Sequence, residues 1–185
     1  NLEKQVLKLP KEVKWCKKCV ISNQRPKIIF DNNDICSACN NYEHSKSINW
    51  QKREEELLRL LDKYRSKNKK EWDVVVPSSG GKDSAYVAHQ LKYKYGMNPL
   101  LVTFSPMEYT DIGIRNYNKL NQSGFVSIKA DPNAVIQKKL ARLSFEELGD
   151  AFHVFVLGQS CFPTHVALKF NIKLIFYGEN GEAEY

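Results

Sequence analysis

The sequence predicts an α/β protein: a small zinc-ribbon-like module followed by a parallel, doubly wound sheet. Two observations favour this class. Two Cys-x-x-Cys pairs stand near the N-terminus, and from residue 72 onward short apolar segments alternate with amphipathic ones. The 185 residues suffice for one ordinary domain with a small appendage. We therefore expect a zinc-binding module at 1–48, a helical linker at 49–70 and the sheet domain at 71–185.

The module is predicted from the cysteine spacing. Cys16 and Cys19 form one pair, Cys36 and Cys39 form the other, and sixteen residues separate the pairs. Zinc takes four thiolates in a tetrahedron at about 2.3 Å, and each tight Cys-x-x-Cys turn offers two of them. A redox pair would instead need one motif at the start of a helix after a strand, which Cys16 lacks. Four thiolates leave no open coordination position, so the expected role of the metal is structural.

The remaining elements follow from hydrophobic periodicity. Residues 50–66 place their leucines on one face and are predicted to form a helix. The predicted strands are Asp73–Pro77, Pro99–Phe104, Phe125–Ile128 and Lys173–Tyr177, and the predicted helices are Ser84–Tyr95, Ile114–Gln122, Asn133–Glu147 and Phe162–Phe170. Nearly continuous apolar strands that alternate with helices are typical of a parallel sheet covered on both faces.

Composition and charge narrow the function classes. No run of eighteen apolar residues occurs and the first residues contain no apolar signal core, so we expect a cytoplasmic protein without a membrane partner. The net charge of +7 suits an anionic partner such as a nucleotide, a nucleic acid or a sugar phosphate. The charge alone does not choose among these partners.

The sharpest motif is Ser-Gly-Gly-Lys-Asp-Ser at 79–84, at the junction between the first predicted strand and the next helix. Ligands of open parallel sheets bind at the carboxyl ends of strands, where a helix N-terminus presents free amides to an anion. The glycines are expected to take left-handed angles and let the backbone approach phosphate, with hydroxyls, a cation and a candidate magnesium ligand beside them. The predicted residues are Ser79, Gly80, Gly81, Lys82, Asp83 and Ser84.

This motif resembles the PP-loop of ATP pyrophosphatases, written SGGxDS. The cysteine pairs, Asn49-Trp50, VPSSGGKDS, NPLLVT, LGQSCFPTHVALKF and the terminal GENGEAEY together resemble the N-acetyl sugar amidotransferase family. That family acts in bacterial lipopolysaccharide, surface-polysaccharide and flagellin-sugar biosynthesis. The resemblance covers essentially the whole chain and implies an adenine nucleotide alpha hydrolase-like fold. Because members of this family are longer, we expect the fold to continue beyond Tyr185.

The resemblance implies an ATP-dependent C–N ligase that uses ATP and Mg²⁺, with Lys82 and Asp83 as catalytic residues. The acetamido oxygen of a nucleotide-linked sugar would be adenylated with release of pyrophosphate, and ammonia would then displace AMP to give an acetamidino sugar. A glutaminase nucleophile sits at a mature N-terminus or on a strand–helix elbow between small residues. Cys161 is followed by Phe162 and fits neither. A separate glutaminase subunit is therefore the expected source of ammonia.

Further residues are predicted to contact the nucleotide and the substrate. Val102 and Thr103 fall where PP-loop proteins seat adenine, although an ordinary core strand explains Val102 equally well. Gly158 and Gln159, with Ser160, are expected to precede a helix and to meet phosphate or sugar. These three residues also have the composition of a common turn.

The remaining predictions concern two pairs near the C-terminus. Glu179 and Asn180 follow the fourth strand at the edge suited to magnesium or substrate, although an ordinary exposed loop is an equal alternative. Cys161 and His165 have helical spacing, and we expect a buried thiol and a hydrogen-bonded imidazole rather than a nucleophile.

Two other function classes compete with the amidotransferase. A tRNA-modifying PP-loop enzyme of the thiolation type would also carry zinc and positive charge. Thiolation generally requires additional cysteines near the ATP site, and only Cys161 follows Cys39, so a nucleic-acid partner is not expected. The other class, a non-catalytic zinc-ribbon binding module, does not explain the motif at residues 79–84.

Overall fold

The structure, a computed structural model, describes residues 10–67 and 71–179. The chain divides into two compact units, Asn1–Glu55 and Glu56–Tyr185. The boundary between them falls inside a helix that spans Trp50–Tyr64, within the segment predicted as a helical linker.

The first unit is built from two short hairpins and a helix. Antiparallel bridges join Trp15 to Ser22 and Phe30 to Cys36, and helix α1 (Ser37–Ser45) follows directly. The carboxylate of Asp31 shapes the second hairpin, because it accepts hydrogen bonds from the backbone N–H groups of Asn33 and Ile35 at 2.8 and 3.0 Å. The unit therefore consists of tight turns with little regular structure.

The second unit contains a three-stranded parallel sheet in the order β1-β2-β3. Its register pairs Val75 with Leu100 and Leu101 with Ser127. In chain order, with α2 being Trp50–Tyr64, the elements are β1 (Val74–Pro77), α3 (Lys82–His89), a π-helical turn (Gln90–Lys94), β2 (Pro99–Phe104), α4 (Asp111–Gln122), β3 (Val126–Ala130), α5 (Ala134–Leu148) and α6 (His153–Lys169).

Helices cover both faces of this sheet. Successive side chains of a strand point to opposite faces, and the buried residues of β1 and β2 accordingly belong to two clusters. Val74 and Val76 pack in a cluster with Leu61 of α2, whereas Val75 packs with Val166 of α6 on the other side. The prediction of a parallel α/β sheet covered on both faces is confirmed.

The predicted fourth strand, Lys173–Tyr177, is present only as one bridge. Ile175 pairs in parallel with Val75, where Val75 N–H donates to the Leu174 carbonyl and Phe176 N–H donates to the Val75 carbonyl, both at 2.9 Å. The prediction of a full strand is wrong, because the chain meets β1 at a single position. This contact still brings residues 177–179 to the carboxyl end of β1.

Helix α6 begins nine residues earlier than the predicted helix Phe162–Phe170. Gly158 and Pro163 lie inside it, and both residue types ordinarily interrupt helices. A Cβ at Gly158 would lie 2.3 Å from the Phe104 ring, so this glycine gives the space that the aromatic side chain fills. Within residues 10–67 and 71–179, no helix has both the length and the apolar character needed to cross a membrane.

Candidate functional site

A cleft of about 260 Å³ opens at the carboxyl ends of β1 and β2. One wall is polar and comes from the segment after β1, whereas the facing wall is largely apolar and comes from β2 and α6. The lining residues include Ser78, Ser79, Gly81, Asp83, Ser84, Val102, Phe104, Val156, Gln159, Ser160, Pro163, Tyr177, Gly178 and Glu179. The cleft thus offers hydrogen-bonding groups on one side and a surface for a flat apolar group on the other.

The polar wall contains the predicted motif at residues 79–84. Gly81 caps α3, whose first turn holds Lys82, Asp83 and Ser84. The N–H groups of a first helical turn have no partner within the helix, and the helix dipole favours an anion in front of them. The end of the cleft at the start of α3 is therefore suited to phosphate oxygens.

The two glycines of the motif differ in conformation. Gly80 has φ +84°, as predicted for both, whereas Gly81 has φ −70°, so the left-handed prediction is wrong for Gly81. A Cβ at Gly80 would lie 2.7 Å from the backbone of Tyr117, and a Cβ at Gly81 would meet only the Ser79 hydroxyl, at 3.5 Å. Packing therefore requires glycine at position 80 but not at position 81.

A pair of alanine substitutions tests this difference. Gly80→Ala should lower the free energy of unfolding by about 1–3 kcal/mol, since a left-handed backbone and a backbone clash both oppose the added methyl group. Gly81→Ala should change it by less than about 0.5 kcal/mol, because the site has an ordinary angle and open space. Urea denaturation of both variants measures the difference, and equal losses would contradict the assignment.

Lys82 and Asp83 form an ion pair at the mouth of the cleft. The Lys82 ammonium lies 2.8 and 3.0 Å from the two carboxylate oxygens of Asp83, and both side chains are largely exposed. An exposed pair of this kind contributes little to stability. Both groups are consequently accessible to a charged ligand, and Asp83 also lines the cleft.

Val102 and Thr103 have different surroundings. Val102 borders the cleft but is only 1% exposed, and it packs in the buried cluster with Val166 of α6. Thr103 is only 2% exposed, and its hydroxyl donates to the carbonyl of Ser78 at 2.5 Å. Thr103 therefore holds the segment after β1 and presents no free group to a ligand.

The predicted substrate residues of α6 lie within the helix, so the prediction that they precede a helix is wrong. Gln159 and Ser160 line the cleft, but the Ser160 hydroxyl donates to the Val156 carbonyl at 3.0 Å. Gly158 faces Phe104, where its missing side chain permits close packing. Among these three residues, Gln159 is the one whose side chain is best suited to contact a ligand.

The segment after the β1 bridge closes the cleft on its third side. Glu179 lines the cleft together with Tyr177, and Asn180 lies outside the described residues. A Cβ at Gly178 would lie 2.9 Å from backbone atoms of Asp83 and Ser84, so this glycine permits direct contact with the start of α3. Burial, and then the charge of Cys161, raise the pKa of the Tyr177 phenol.

Several residues of the cleft were not predicted from sequence. Ser78 precedes the motif yet organises it, and Phe104 and Gly178 matter through contacts with distant parts of the chain. The sequence did offer a signal for Gly178, because this glycine directly follows the predicted fourth strand, as the glycines of the motif follow the first. The thiol of Cys161 is exposed, so the predicted burial is wrong, and His165 is exposed as well.

The second candidate site is the cysteine cluster of the first unit. The ligand atoms of Cys16, Cys19, Cys36 and Cys39 all lie within 4.8 Å of one another. The sulfurs of Cys16 and Cys39 are 4.0 Å apart, and those of Cys19 and Cys36 are 3.6 Å apart. A tetrahedron with Zn–S bonds of about 2.3 Å requires sulfur separations of about 3.8 Å. The two separations of 4.0 and 3.6 Å lie close to this value, and the cluster could hold a zinc ion.

The thiols of this cluster differ in acidity. Burial acts to raise the pKa of Cys16, but backbone N–H groups of Cys36, Lys18 and Cys19 outweigh it and lower the pKa to about 6. Hydrogen bonds with the Cys19 thiol, followed by burial, raise the pKa of Cys39 to about 12. Cys39 therefore holds its proton far more tightly than Cys16 does, and binding of a divalent cation would release that proton.

The fold and these two sites define the class of the protein. It is an α/β protein with a parallel sheet, a cleft at the carboxyl edge of that sheet and a four-cysteine cluster that could hold a metal ion. In comparisons with known proteins, no family model and no curated protein matches the chain. Its activity must therefore be argued from the residues of the cleft.

Proposed function

We propose that the protein is an ATP-dependent amidotransferase of the PP-loop type, with an adenine nucleotide alpha hydrolase-like fold. The observation that carries this proposal is the position of the SGGKDS motif, which lines the cleft where β1 ends and α3 begins. A loop of small residues with free helical amides binds a polyphosphate chain through its backbone. The resemblance of the motif to the PP-loop makes that chain the triphosphate of ATP.

ATP would lie along the cleft with its two ends in different surroundings. The phosphates would contact the first-turn amides of α3 and the Ser79 hydroxyl, while Lys82 would neutralise part of their charge. Adenine would pack on the apolar wall, where Phe104 lies beside the buried Val102. Asp83 and Glu179, which both line the cleft, would hold Mg²⁺ through carboxylate oxygens, the ligands that this ion prefers.

The proposed chemistry proceeds in two displacements. The acetamido oxygen of a nucleotide-linked sugar attacks the α-phosphorus of ATP, and the bond to the β-phosphate breaks to release pyrophosphate. Ammonia then adds to the activated carbon, loses a proton to solvent or a base, and expels AMP, which leaves an acetamidino group. Negative charge develops on the departing pyrophosphate, and the loop amides, Lys82 and Mg²⁺ would stabilise it. Gln159, which lines the cleft, would position the sugar.

The four-cysteine cluster would bind zinc in a structural role. All four positions of its tetrahedron are protein sulfurs, which leaves none for water or substrate. The metal would supply stability to the first unit, and ATP chemistry would depend on the cleft of the second unit.

The nitrogen would come from a separate glutaminase subunit. Cys161 lies within the long helix α6, and the nucleophile of a glutaminase requires a tight turn or a free N-terminus. Transfer of unprotonated ammonia between the two proteins would keep the adenylated amide from water.

Product analysis tests the proposed reaction. The chain is incubated with ATP, Mg²⁺, ammonium and a panel of nucleotide-linked N-acetyl sugars, and the products are analysed by mass spectrometry. We expect AMP, pyrophosphate and a sugar whose mass reflects the exchange of oxygen for an NH group. Tight, steeply salt-dependent binding of tRNA, with no change in any sugar, would favour a tRNA-modifying enzyme instead.

The nitrogen source gives a separate prediction. Turnover should occur with ammonium salts, increase at raised pH as free ammonia becomes available, and be absent with glutamine until a glutaminase is added. Glutamate release by the chain alone, measured with an enzymatic glutamate assay, would contradict this prediction. Cys161→Ser provides the control, because it should leave ammonium-dependent turnover unchanged.

A further inference from the structure

Thr103 carries a buried hydroxyl at the end of β2, behind the cleft. It is 2% exposed and donates to the Ser78 carbonyl at 2.5 Å. The N–H of Ser78 in turn donates to the Val102 carbonyl at 2.9 Å. Both polar groups of the Ser78 backbone are therefore held by β2, one residue beyond the end of β1.

The Ser78 side chain extends this connection into the motif. Its hydroxyl oxygen accepts from Gly80 N–H at 3.3 Å and lies 3.1 Å from the Ser84 hydroxyl. The Ser84 hydroxyl also lies 3.2 Å from the Gly81 carbonyl, to which it can donate. In the pair with Ser78, either hydroxyl can be the donor. A series of hydrogen bonds thus runs from Thr103 to the first turn of α3.

We propose that Thr103 is a positioning residue for the anion-binding loop. Without contacting the ligand, it fixes Ser78, and through Ser78 it fixes the amides of residues 80–84 in the arrangement that binds the polyphosphate of ATP. The ligand class rests on the proposed function. The mechanical part, that Thr103 orders this loop, rests on the hydrogen bonds alone.

The energetic reason is preorganisation. A loop that must be ordered by its ligand binds more weakly, because ordering reduces the net affinity. If the Thr103 hydroxyl is removed, the Ser78 carbonyl becomes a buried acceptor that has lost this donor, and such a group favours rearrangement. The loop amides would then sample other directions in the free protein.

Three variants test the proposal in the full chain. Thr103→Val removes the hydroxyl at nearly constant volume, and Thr103→Ser retains it. Met97→Ala, at a buried site before the amino end of β2, controls for a general loss of stability. Affinity for Mg-ATP and for inorganic pyrophosphate is measured by calorimetry, and hydrogen–deuterium exchange of residues 78–84 is measured without ligand.

Thr103→Val should lower the affinity for both ligands about five- to tenfold, the loss expected from one hydrogen bond. It should also increase the rate of amide hydrogen exchange in residues 78–84. Thr103→Ser and Met97→Ala should match the unsubstituted chain in affinity and in exchange of this segment. Unchanged exchange in Thr103→Val, or an equal change in Met97→Ala, would overturn the positioning role.

Failure of the proposed function gives a different result. If the unsubstituted chain binds neither Mg-ATP nor pyrophosphate, the ATP assignment is wrong. The exchange measurement then still decides whether Thr103 orders the loop. Faster exchange in Thr103→Val alone supports the positioning role, and identical exchange in all variants overturns it.

Discussion

Asp83→Ala should reduce ATP-dependent pyrophosphate release by at least ~100-fold, the scale on which enzymes lose activity without one electrostatic contact to a developing charge. Asp83 lines the cleft, and its carboxylate holds the Lys82 ammonium at 2.8 Å. The substitution would therefore remove a ligand for Mg²⁺ and leave Lys82 without this partner. Release of pyrophosphate from ATP in the presence of a nucleotide-linked sugar measures the loss.

Glu146→Ala is the matched control for this substitution. Glu146 is also an exposed carboxylate in an ion pair, with the Arg142 guanidinium at 2.7 Å, but it lies on α5 and outside the lining of the cleft. Exposed ion pairs contribute about 0–1 kcal/mol to stability, so both variants should remain folded. Activity of Asp83→Ala equal to that of Glu146→Ala would show that the cleft does not bind the metal–nucleotide complex through this carboxylate.

Local patterns predicted both candidate sites. The spacing of the cysteine pairs sufficed to predict the four-cysteine cluster, because two tight turns that each carry two thiols form it wherever they come into contact. The SGGKDS motif could be placed at the carboxyl edge of the sheet, because the apolar segment before it has the length of a strand and a helix follows. In both cases the determining residues are close in sequence or share one geometric requirement.

Contacts between residues that are distant in sequence could not be predicted from local sequence patterns. Gly158 and Pro163 are ordinarily helix-breaking residues, yet α6 continues across both, and Phe104 of β2 fills the space beside the glycine. The hydrogen bond of the buried Thr103 hydroxyl likewise depends on Ser78, which follows the neighbouring strand β1. Hydrophobic periodicity contains no information about which partner a residue meets across the sheet.

The metal prediction concerns a unit with almost no apolar core. Within residues 10–55, the buried residues are Cys16 and Cys36, and the large side chains Trp15, Val20 and Ile29 are exposed. A segment of this size cannot be stabilised by so little burial. Zinc bound to the four sulfurs would supply the missing free energy, since metal binding by such modules is coupled to their folding.

Cys36→Ser should therefore abolish stoichiometric zinc binding and unfold the first unit, while the sheet of the second unit remains intact. Cys36 is fully buried, lies at the N-cap of α1, and donates its N–H to the Cys16 sulfur at 3.3 Å. Serine at this position would therefore remove one thiolate from the cluster. Cys161→Ser, which removes an exposed thiol outside the cluster, should retain one zinc per chain. Elemental analysis gives the metal content, and hydrogen–deuterium exchange separates residues 10–55 from 71–179. Two results would contradict the assignment of these sulfurs to a metal. One is that protein purified without a chelator contains no zinc, and the other is that Cys36→Ser retains full zinc occupancy.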